Sequence, residues 1–236
     1  MIPIRDINPT RTKPVVTYSV IAACVGVFLI EVVAGEAGMR GLVWRFGLIP
    51  EILAQGDFTN PRSMGGARGA LITPLTSLFM HASWLHLLGN MWFLHVFGDN
   101  VEDALGRWRF ALFFLGTGLA AAATQILMDP SSRVPMIGAS GAVSGVLGAY
   151  VLLYPHARVV TFVPLLFIEL PAFVFVFVWF ALQVFGLSAA LGQGGGAGIA
   201  WSAHVGGFIA GLVFVLPSRE RIRASLRPGS TPGEVE

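Results

Sequence analysis

Residues 138–154 read GASGAVSGVLGAYVLLY, an uncharged apolar run that opens with one serine among small residues. A helix of ~20 apolar residues crosses a ~30 Å hydrocarbon core, and this run is close to that length. Its glycines, Gly141, Gly145 and Gly148, recur every three or four residues and so share one helix face. Small residues on such a face let two membrane helices approach closely. The stretch predicts a transmembrane helix that begins near Ser140 and packs tightly against a partner.

Five further apolar runs surround this one and define the fold class. Of the 236 residues, 55% are hydrophobic and 12% are charged, whereas a soluble domain carries about 25% charged residues. The sequence therefore predicts an all-α, polytopic membrane protein that crosses the lipid bilayer as a bundle of six helices. The other five runs occupy residues 15–34, 85–101, 110–127, 171–191 and 199–217.

Charge and cysteine content exclude other classes of protein. The net charge of +2 arises from 15 Lys and Arg against 13 Asp and Glu. This excess is small and does not indicate a basic face, which argues against a nucleic-acid partner. Cys24 is the single cysteine of the sequence, which excludes an intrachain disulfide and a cysteine metal cluster. The sequence indicates no cofactor and no metal, and it does not indicate an oligomeric state.

The basic residues predict how the helices are oriented. Arg5, Arg11 and Lys13 precede the first run, and further arginines follow the last run between residues 219 and 227. An even number of spans leaves both termini on one side of the membrane. Positively charged flanks favour the cytoplasm, so both termini are predicted to be cytoplasmic.

The domain organisation follows from the same pattern. Residues 1–14 are predicted to form a cytoplasmic N-terminal segment, and residues 15–217 a six-helix domain in the plasma membrane. Within that domain, residues 35–80 are too polar to span and are expected to lie in the outer interface. Residues 218–236 are predicted to be a disordered cytoplasmic tail.

Four polar side chains share one depth in this topology. His86 and Asn90 come early in the second run, Ser140 opens the fourth, and His204 follows the start of the sixth. These three helices all run inwards, so at a rise of 1.5 Å per residue the four residues lie roughly 5–15 Å below the outer surface. Ionisable groups inside a span are costly, and such a set therefore predicts a functional site.

The chemistry that suits this set is nucleophilic acyl transfer. A serine hydroxyl becomes an effective nucleophile when an imidazole takes its proton and later returns it to the leaving amine. Ser140 and His204 are such a pair at matched depth. The tetrahedral intermediate also needs donors for its oxyanion. His86 and Asn90, which share one helix face, and the unpaired backbone N–H of Ser140 at its helix start are the candidates.

Glycines are predicted to bring the two catalytic helices together. Gly141 and Gly145 lie on the helix of Ser140, whereas Gly207 and Gly211 form a GxxxG step on the helix of His204. Because glycine has no side chain, helices that meet at such steps pack backbone against backbone.

Other interpretations of these residues remain open. A serine in a glycine-rich helix often serves only to pack against a neighbouring helix. A metal site built from His81, His86, His95 and His204 is less favoured, because His95 lies about 13 Å deeper than His86 on the opposite helix face. A transporter or channel would carry ionisable residues through the whole membrane depth, whereas this polar set clusters near one surface.

Three carboxylates, Asp99, Glu102 and Asp103, lie at and just beyond the cytoplasmic end of the second run. They lie about 13 Å or more from Asn90 along the helix, so they are predicted to be structural rather than catalytic. The spacing of Asp103 and Arg107 predicts an ion pair between residues i and i+4.

At these motifs the sequence resembles the rhomboid intramembrane serine proteases. The order and spacing of the motifs match across nearly the whole chain. The matching stretches are HASWLHLLGN at 81–90, FGDNVED at 97–103, GASG at 138–141 and AHVGGFIAG at 203–211.

The resemblance implies an enzyme that cleaves transmembrane protein substrates within the bilayer. It implies Ser140 as the nucleophile, His204 as the general base, and His86 with Asn90 lining the oxyanion hole. It also implies a six-helix bundle whose active site opens to water on the outer side. The alternative is a catalytically inactive rhomboid-like binder of membrane-protein clients, which loss of Ser140 or His204 would favour; both residues are present.

The sequence departs from the family pattern at two places. Many members carry an aromatic residue four positions after the nucleophile, where this chain has Ser144. The family often has a Trp-Arg pair shortly before the second helix, where this chain reads Thr73-Pro74. The sequence places no aspartate at the depth of the site, so it predicts a dyad and leaves open what orients His204.

Overall fold

A computed structural model describes residues 1–56, 67–192 and 200–225 of the chain, which are mostly helical. The helices are α1 (Val15–Val33), α2 (Gly35–Phe46), α3 (Pro50–Gln55), α4 (Ala67–Thr76), α5 (Trp84–Leu105), α6 (Arg107–Met128), α7 (Ser140–Leu153), α8 (Ala172–Gly192), α9 (Trp201–Val215) and α10 (Arg219–Ser225). The strands are β1 (Ile2–Ile7), β2 (Arg158–Val163) and β3 (Leu166–Pro171).

Each of the six predicted apolar runs overlaps one helix. In chain order these helices are α1, α5, α6, α7, α8 and α9. Among the described residues, four helices are long and apolar enough to cross a membrane: Val15–Val33, Arg107–Met128, Ala172–Ala190 and Trp201–Ile222. A fifth span results if the pair Gly69–Phe79 and Trp84–Leu105, bent by 77°, counts as one. Helix α7 is shorter, with 14 residues. Four to five spans are therefore supported, and a count of six stays a prediction.

Two local signals set the start and the end of α5. The Ser83 side chain accepts a hydrogen bond from the backbone N–H of His86 and so caps the first turn. Gly106, with φ of 78°, ends α5 and leads directly into α6. A residue with a side chain adopts this left-handed conformation only at a cost, which explains the glycine between the two helices.

Helix α7 forms the centre of the bundle, because every residue over 141–150 is buried. It packs against α5, α6 and α9. A Cβ atom on Gly207 would overlap the carbonyl oxygen of Gly141, and one on Gly211 would overlap that of Gly145. Helices α7 and α9 therefore touch backbone to backbone, and this close approach brings the start of α7 beside the start of α9.

A three-stranded sheet adds to the predicted helical bundle. Strand β1 pairs antiparallel with β2, and β2 pairs antiparallel with β3, in the order β1-β2-β3. Pro164 and Leu165 form the β2–β3 turn, where Leu165 has φ of 74°. The β1–β2 pairing joins residues that are more than 150 positions apart, so no local pattern reveals it. The β2–β3 hairpin is local, but it lies between two predicted spans in a segment for which no regular structure was predicted.

The two segments predicted to be irregular or interfacial contain helices. Residues 35–80 hold α2, α3 and α4, although residues 57–66 lie outside the described residues. A 3-10 turn, Leu216–Ser218, reaches the first residue of the predicted disordered tail, and the tail then contains α10. Disorder from residue 218 is thus contradicted as far as residue 225, and residues 226–236 lie outside the described part of the chain.

Candidate active site

Ser140 and His204 meet at the adjoining starts of α7 and α9. The Oγ atom of Ser140 lies 2.8 Å from Nε2 of His204. Ser140 is the first residue of α7, and His204 lies in the first turn of α9. A hydroxyl and an imidazole at this distance can share a proton, which is the geometry that a serine nucleophile and its general base require.

The other ring nitrogen of His204 contacts a residue that the sequence analysis missed. Nδ1 of His204 lies 2.8 Å from Oε1 of Gln183, which is on α8 and is buried. Ser144, four residues after Ser140, donates its hydroxyl to the Ser140 carbonyl at 2.7 Å. The signal for Gln183 was present in the sequence, because it is the single amide side chain over residues 172–191, an otherwise almost wholly apolar run.

His86 and Asn90 lie one turn apart on α5 and face the chain just before Ser140. The backbone N–H of Ala82 points at Nδ1 of His86 at 3.4 Å, which leaves the proton of this ring on Nε2. The Asn90 amide donates one hydrogen bond to the carbonyl of His86 at 2.9 Å. Its second N–H is therefore available for another acceptor.

Gly138 marks the place where these two side chains converge. A Cβ atom on Gly138 would lie 2.7 Å from Nε2 of His86 and 3.8 Å from Nδ2 of Asn90. Gly138 also has φ of 119°, a conformation that side chains other than glycine rarely adopt. The donors of α5 thus approach the chain two residues before Ser140 because no side chain stands between them.

A cavity of about 430 Å³ joins the four predicted site residues. Its wall includes Ser140, His204, His86 and Asn90, together with Gln183. Much of the remaining wall comes from small or apolar residues, among them Gly89, Gly118, Ala121, Gly141, Phe93, Val143, Trp179 and Ala203. The arrangement suits an extended peptide backbone beside Ser140, with a carbonyl oxygen turned towards the donors of α5.

A third histidine packs against His86. His81 is fully buried, and its ring lies 5.1 Å from that of His86, edge to face. Its backbone N–H lies 3.3 Å from Oε2 of Glu31, which is itself buried. Across residues 1–56, 67–192 and 200–225, no group of three or more His, Cys, Asp and Glu side chains could hold a metal ion.

Comparison with known proteins places these motifs in one family. The family model described as Rhomboid domain matches residues 68–221, which is more than half of the chain. The matched range includes Ser140, His204, His86 and Asn90.

Individual relatives carry related names. The chain is 32% identical to Rhomboid protease GluP of Bacillus subtilis over 143 residues, 60% of this chain and 25% of that protein. It is 28% identical to Rhomboid protein 1, mitochondrial, of Saccharomyces cerevisiae over 180 residues, 72% of this chain and 46% of that protein. It is 41% identical to Rhomboid-like protein 11, chloroplastic, of Arabidopsis thaliana over 78 residues, 33% and 28% of the two chains. The chain thus spans less than half the length of each of these relatives.

Proposed function

Because this chain belongs to the rhomboid family, we propose that it is an intramembrane serine endopeptidase that hydrolyses peptide bonds in or near the transmembrane helices of other membrane proteins. One observation carries the proposal: Oγ of Ser140 lies 2.8 Å from Nε2 of His204 at the wall of a cavity that His86 and Asn90 also line. A catalytically inactive binder of clients needs no such contact between a nucleophile and a base, so the geometry favours the enzyme.

The first chemical step is acylation of Ser140. Its oxygen attacks the scissile carbonyl carbon while Nε2 of His204 accepts the hydroxyl proton. The tetrahedral intermediate then collapses, the C–N bond breaks, and the histidine returns the proton to the leaving amine. Water then attacks the carbonyl carbon of the resulting ester while His204 takes a proton from the water. The bond between this carbon and Oγ of Ser140 breaks, and His204 returns the proton to the serine oxygen.

The oxyanion formed in both steps needs hydrogen-bond donors. Nε2–H of His86 and the free N–H of the Asn90 amide lie on the side of the cavity next to Gly138. Backbone N–H groups at the start of α7 have no partner within their own helix, and they add donors at Ser140 itself. Donors fixed before the reaction stabilise the developing charge without rearrangement, and this is commonly the largest contribution to catalysis.

Substrates are expected to be single transmembrane helices that unwind locally near one end. An intact helix holds its carbonyls in hydrogen bonds between residues i and i−4, so it cannot present one to Ser140. A glycine near the scissile bond lowers the cost of unwinding by about 1 kcal/mol relative to alanine. Replacing such residues with leucine should therefore slow cleavage.

We further propose that the protein lies in the plasma membrane with both termini in the cytoplasm and the active site towards the outer face. The support is the concentration of basic residues near both termini, including Arg5, Arg11, Arg219 and Arg221. A reporter protein that is active only in the cytoplasm, fused to the C-terminus, should be active. A silent reporter of normal abundance would contradict this orientation.

The function is tested by co-expressing the protein with a panel of tagged single-span membrane proteins. Wild-type protein should generate shortened products from at least one panel member, and Ser140→Ala should generate none. Ser19→Ala is the matched control, because Ser19 is exposed on α1 and its hydroxyl bonds only to the Val15 carbonyl.

The outcomes separate the enzyme from the inactive binder. Cleavage by wild type and Ser19→Ala but not by Ser140→Ala supports the protease. Stable capture of panel members by wild type and Ser140→Ala alike, with no product from either, would instead support the binder.

A further inference from the structure

Gln183 is a buried amide on an otherwise apolar helix, and it faces the active site. The run 172–191 of α8 has only Gln183 and Ser188 as polar side chains. Gln183 is 8% exposed and lines the cavity beside Ser140 and His204. A buried polar group is costly unless it is hydrogen-bonded, so its bonds define what this amide does.

The two ends of the Gln183 amide are distinguished by their partners. Nε2 of Gln183 donates to the carbonyl oxygen of Trp179 at 3.2 Å, one turn earlier on α8. The carbonyl of Trp179 can only accept, so the nitrogen of the amide must face it. Oε1 then faces Nδ1 of His204 at 2.8 Å. The orientation of the amide thus follows from the hydrogen-bond network.

This orientation determines which nitrogen of His204 carries the proton. Oε1 of Gln183 has no hydrogen to donate, so Nδ1 of His204 must be the donor in this contact. In a neutral imidazole the other nitrogen, Nε2, is then an acceptor, and it lies 2.8 Å from Oγ of Ser140. The opposite tautomer would leave Nε2 protonated and unable to take the serine proton.

Aromatic contacts hold α8 at this position on both sides of Gln183. Phe180 stacks on Phe208 of α9 with ring centroids 4.4 Å apart. Further along α8, Gly186 lies against the ring of Trp201, where a Cβ atom would approach to 2.6 Å. The bond between Gln183 and His204 is thus a polar contact at the cavity wall, flanked along α8 by apolar contacts with α9.

A neutral amide suits this environment better than the aspartate found in soluble serine proteases. A carboxylate held away from water carries a large desolvation cost before it makes any contact. An amide oxygen accepts the same hydrogen bond from Nδ1 at a smaller cost of burial. It orients the ring and adds dipolar stabilisation when the ring becomes protonated during the reaction.

We propose that Gln183 is a positioning residue that holds His204 in the tautomer with its proton on Nδ1, and so supplies the third member of the site. The expected effect on kcat rests on the proposed function, whereas the tautomer of His204 does not. Gln183 would thus orient the His204 ring in a chain that has Ser144 where many relatives carry an aromatic residue.

The test uses the full-length protein in detergent micelles, labelled with ¹⁵N-histidine. The nitrogen shifts of His204, assigned by their loss in His204→Ala, should report a proton on Nδ1 in the wild type. In Gln183→Leu this preference should be lost. Ser188→Ala is the control, because Ser188 is exposed on the same helix and bonds only to the Val184 carbonyl; its spectrum should match that of the wild type.

Kinetics supply the second measurement. Gln183→Leu should lower kcat by roughly 10–100-fold, by analogy with the loss of a partner that orients a metal-ligating histidine, with little change in KM. Gln183→Glu retains an oxygen acceptor and should recover part of this loss. A residue that served only to pack α8 would be replaced equally well by leucine, so recovery by glutamate separates positioning from packing.

Two results would overturn the inference: a wild-type ring with its proton on Nε2, or a Gln183→Leu protein that keeps both the tautomer and the kcat of the wild type. Failure of the proposed function looks different. If the wild type cleaves no substrate while its spectrum shows Nδ1 protonated and Gln183→Leu loses that preference, then the positioning role stands and the protease assignment falls.

Discussion

The two ends of α5 and α7 both carry polar clusters, and the clusters differ in how completely their hydrogen bonds are satisfied. At the site end, α5 contributes His86 and Asn90, and α7 contributes Ser140. At the sheet end, where β1 lies, α5 contributes Asn100, Glu102 and Asp103, and α7 contributes Tyr150. The site end surrounds a cavity, whereas the sheet end is closed by residues of the N-terminal segment.

At the sheet end, carboxylates receive several donors each. Glu102 accepts hydrogen bonds from the backbone N–H groups of Val16 and Thr17 and from the Thr17 hydroxyl, at 2.7–2.9 Å. Asp103 accepts two bonds from Thr12 and contacts Arg11 at 3.4 Å. These carboxylates have little accepting capacity left, so they can tie α1 to α5 but offer nothing to a substrate.

At the site end, by contrast, donors remain free. Asn90 uses one N–H within its own helix, and Nε2–H of His86 points towards the cavity side of Gly138. Donors that are fixed in place yet unused are what an oxyanion hole requires. Polar residues on these helices thus stabilise the fold where their hydrogen bonds are complete, and are available for chemistry where hydrogen bonds stay open beside the cavity. Variants at the site end should therefore change rates, and variants at the sheet end should change stability.

Among variants that keep Ser140 and His204, the largest effect is expected for Asn90→Ala at the site end. If its amide is a principal oxyanion donor, kcat should fall by roughly 10²–10³, equivalent to about 2.7–4 kcal/mol of transition-state stabilisation. KM and the melting temperature in detergent should change little. Steady-state cleavage of a transmembrane substrate measures both constants. A change confined to KM would assign Asn90 to substrate binding and weaken the comparison.

At the sheet end, Glu102→Gln should lower the free energy of unfolding by about 2–4 kcal/mol, because an amide nitrogen would face donors that the carboxylate now satisfies. The kcat of the folded protein should be unchanged. Unfolding in detergent measures the free energy, and cleavage of a substrate by the folded fraction measures kcat.

The matched control at this end is Glu169→Gln. Glu169 is half exposed and lies 3.8 Å from Arg158, so its loss should cost about 0–1 kcal/mol. Equal destabilisation by both variants would mean that the buried network contributes no more than a surface pair. A large loss of kcat in Glu102→Gln would mean that the sheet end contributes to catalysis as well as to stability.

Local patterns in the sequence predict the helices but not the partners that lie far away along the chain. The helices α1 and α5–α9 follow from local apolar patterns, and the shared depth of Ser140 and His204 follows from helix order. Partners distant in sequence could not be deduced in this way. The predicted pair of Asp103 with Arg107 is wrong, because the N-terminal segment folds back and brings Arg11 and Thr12 to that carboxylate.

Gln183 was missed for a related reason. Its role depends on the rotation of α8 about its own axis, and in a helix that is apolar on every side no amphipathic pattern indicates which face points inwards. Strand β1 was missed because its pairing partner is β2, far along the chain. The sequence pattern predicts the order and the depth of the helices. It does not predict which helix faces contact each other, because that depends on packing.

Gly138→Ala tests whether the open side of the site depends on a missing side chain. The φ of 119° and the 2.7 Å approach to His86 predict strain of about 1–3 kcal/mol, together with displacement of the His86 ring. We expect a drop in both melting temperature and kcat. Gly116→Ala on α6 is the control, because its Cβ would have no neighbour within 4 Å; it should leave kcat unchanged. Normal kcat in Gly138→Ala would mean that the position of the His86 ring does not matter for catalysis.

The smallest effect is expected for Asp6→Asn at the sheet end, and it depends on pH. Asp6 accepts hydrogen bonds from the Tyr150 hydroxyl at 2.6 Å and from the Asn100 amide at 2.9 Å. Burial raises the pKa of Asp6 from 3.8 to about 6, and the nearby Asp99 adds to the rise, while the bond from Tyr150 opposes it. The folded protein therefore holds this proton more tightly than the unfolded chain does.

The sign of the effect follows from that difference in proton binding. Between pH 4 and pH 6 the folded state carries more protons at Asp6 than the unfolded state, so the contribution of this group to stability falls as pH rises and is constant above about pH 6. Asparagine keeps an oxygen acceptor for Tyr150 and Asn100 but carries no charge. Asp6→Asn should therefore match the wild type near pH 4 and exceed its free energy of unfolding at pH 7. The rise in pKa corresponds to about 3 kcal/mol, and solvent screening of the partly exposed Asp6 reduces the expected difference to about 1–2 kcal/mol. Unfolding in detergent at both pH values measures this, with the exposed Glu36→Gln as a control that should show no such divergence. Destabilisation by Asp6→Asn at pH 7 would show that the sheet end needs the charged carboxylate, and that its hydrogen bonds are not completed by neutral acceptors alone.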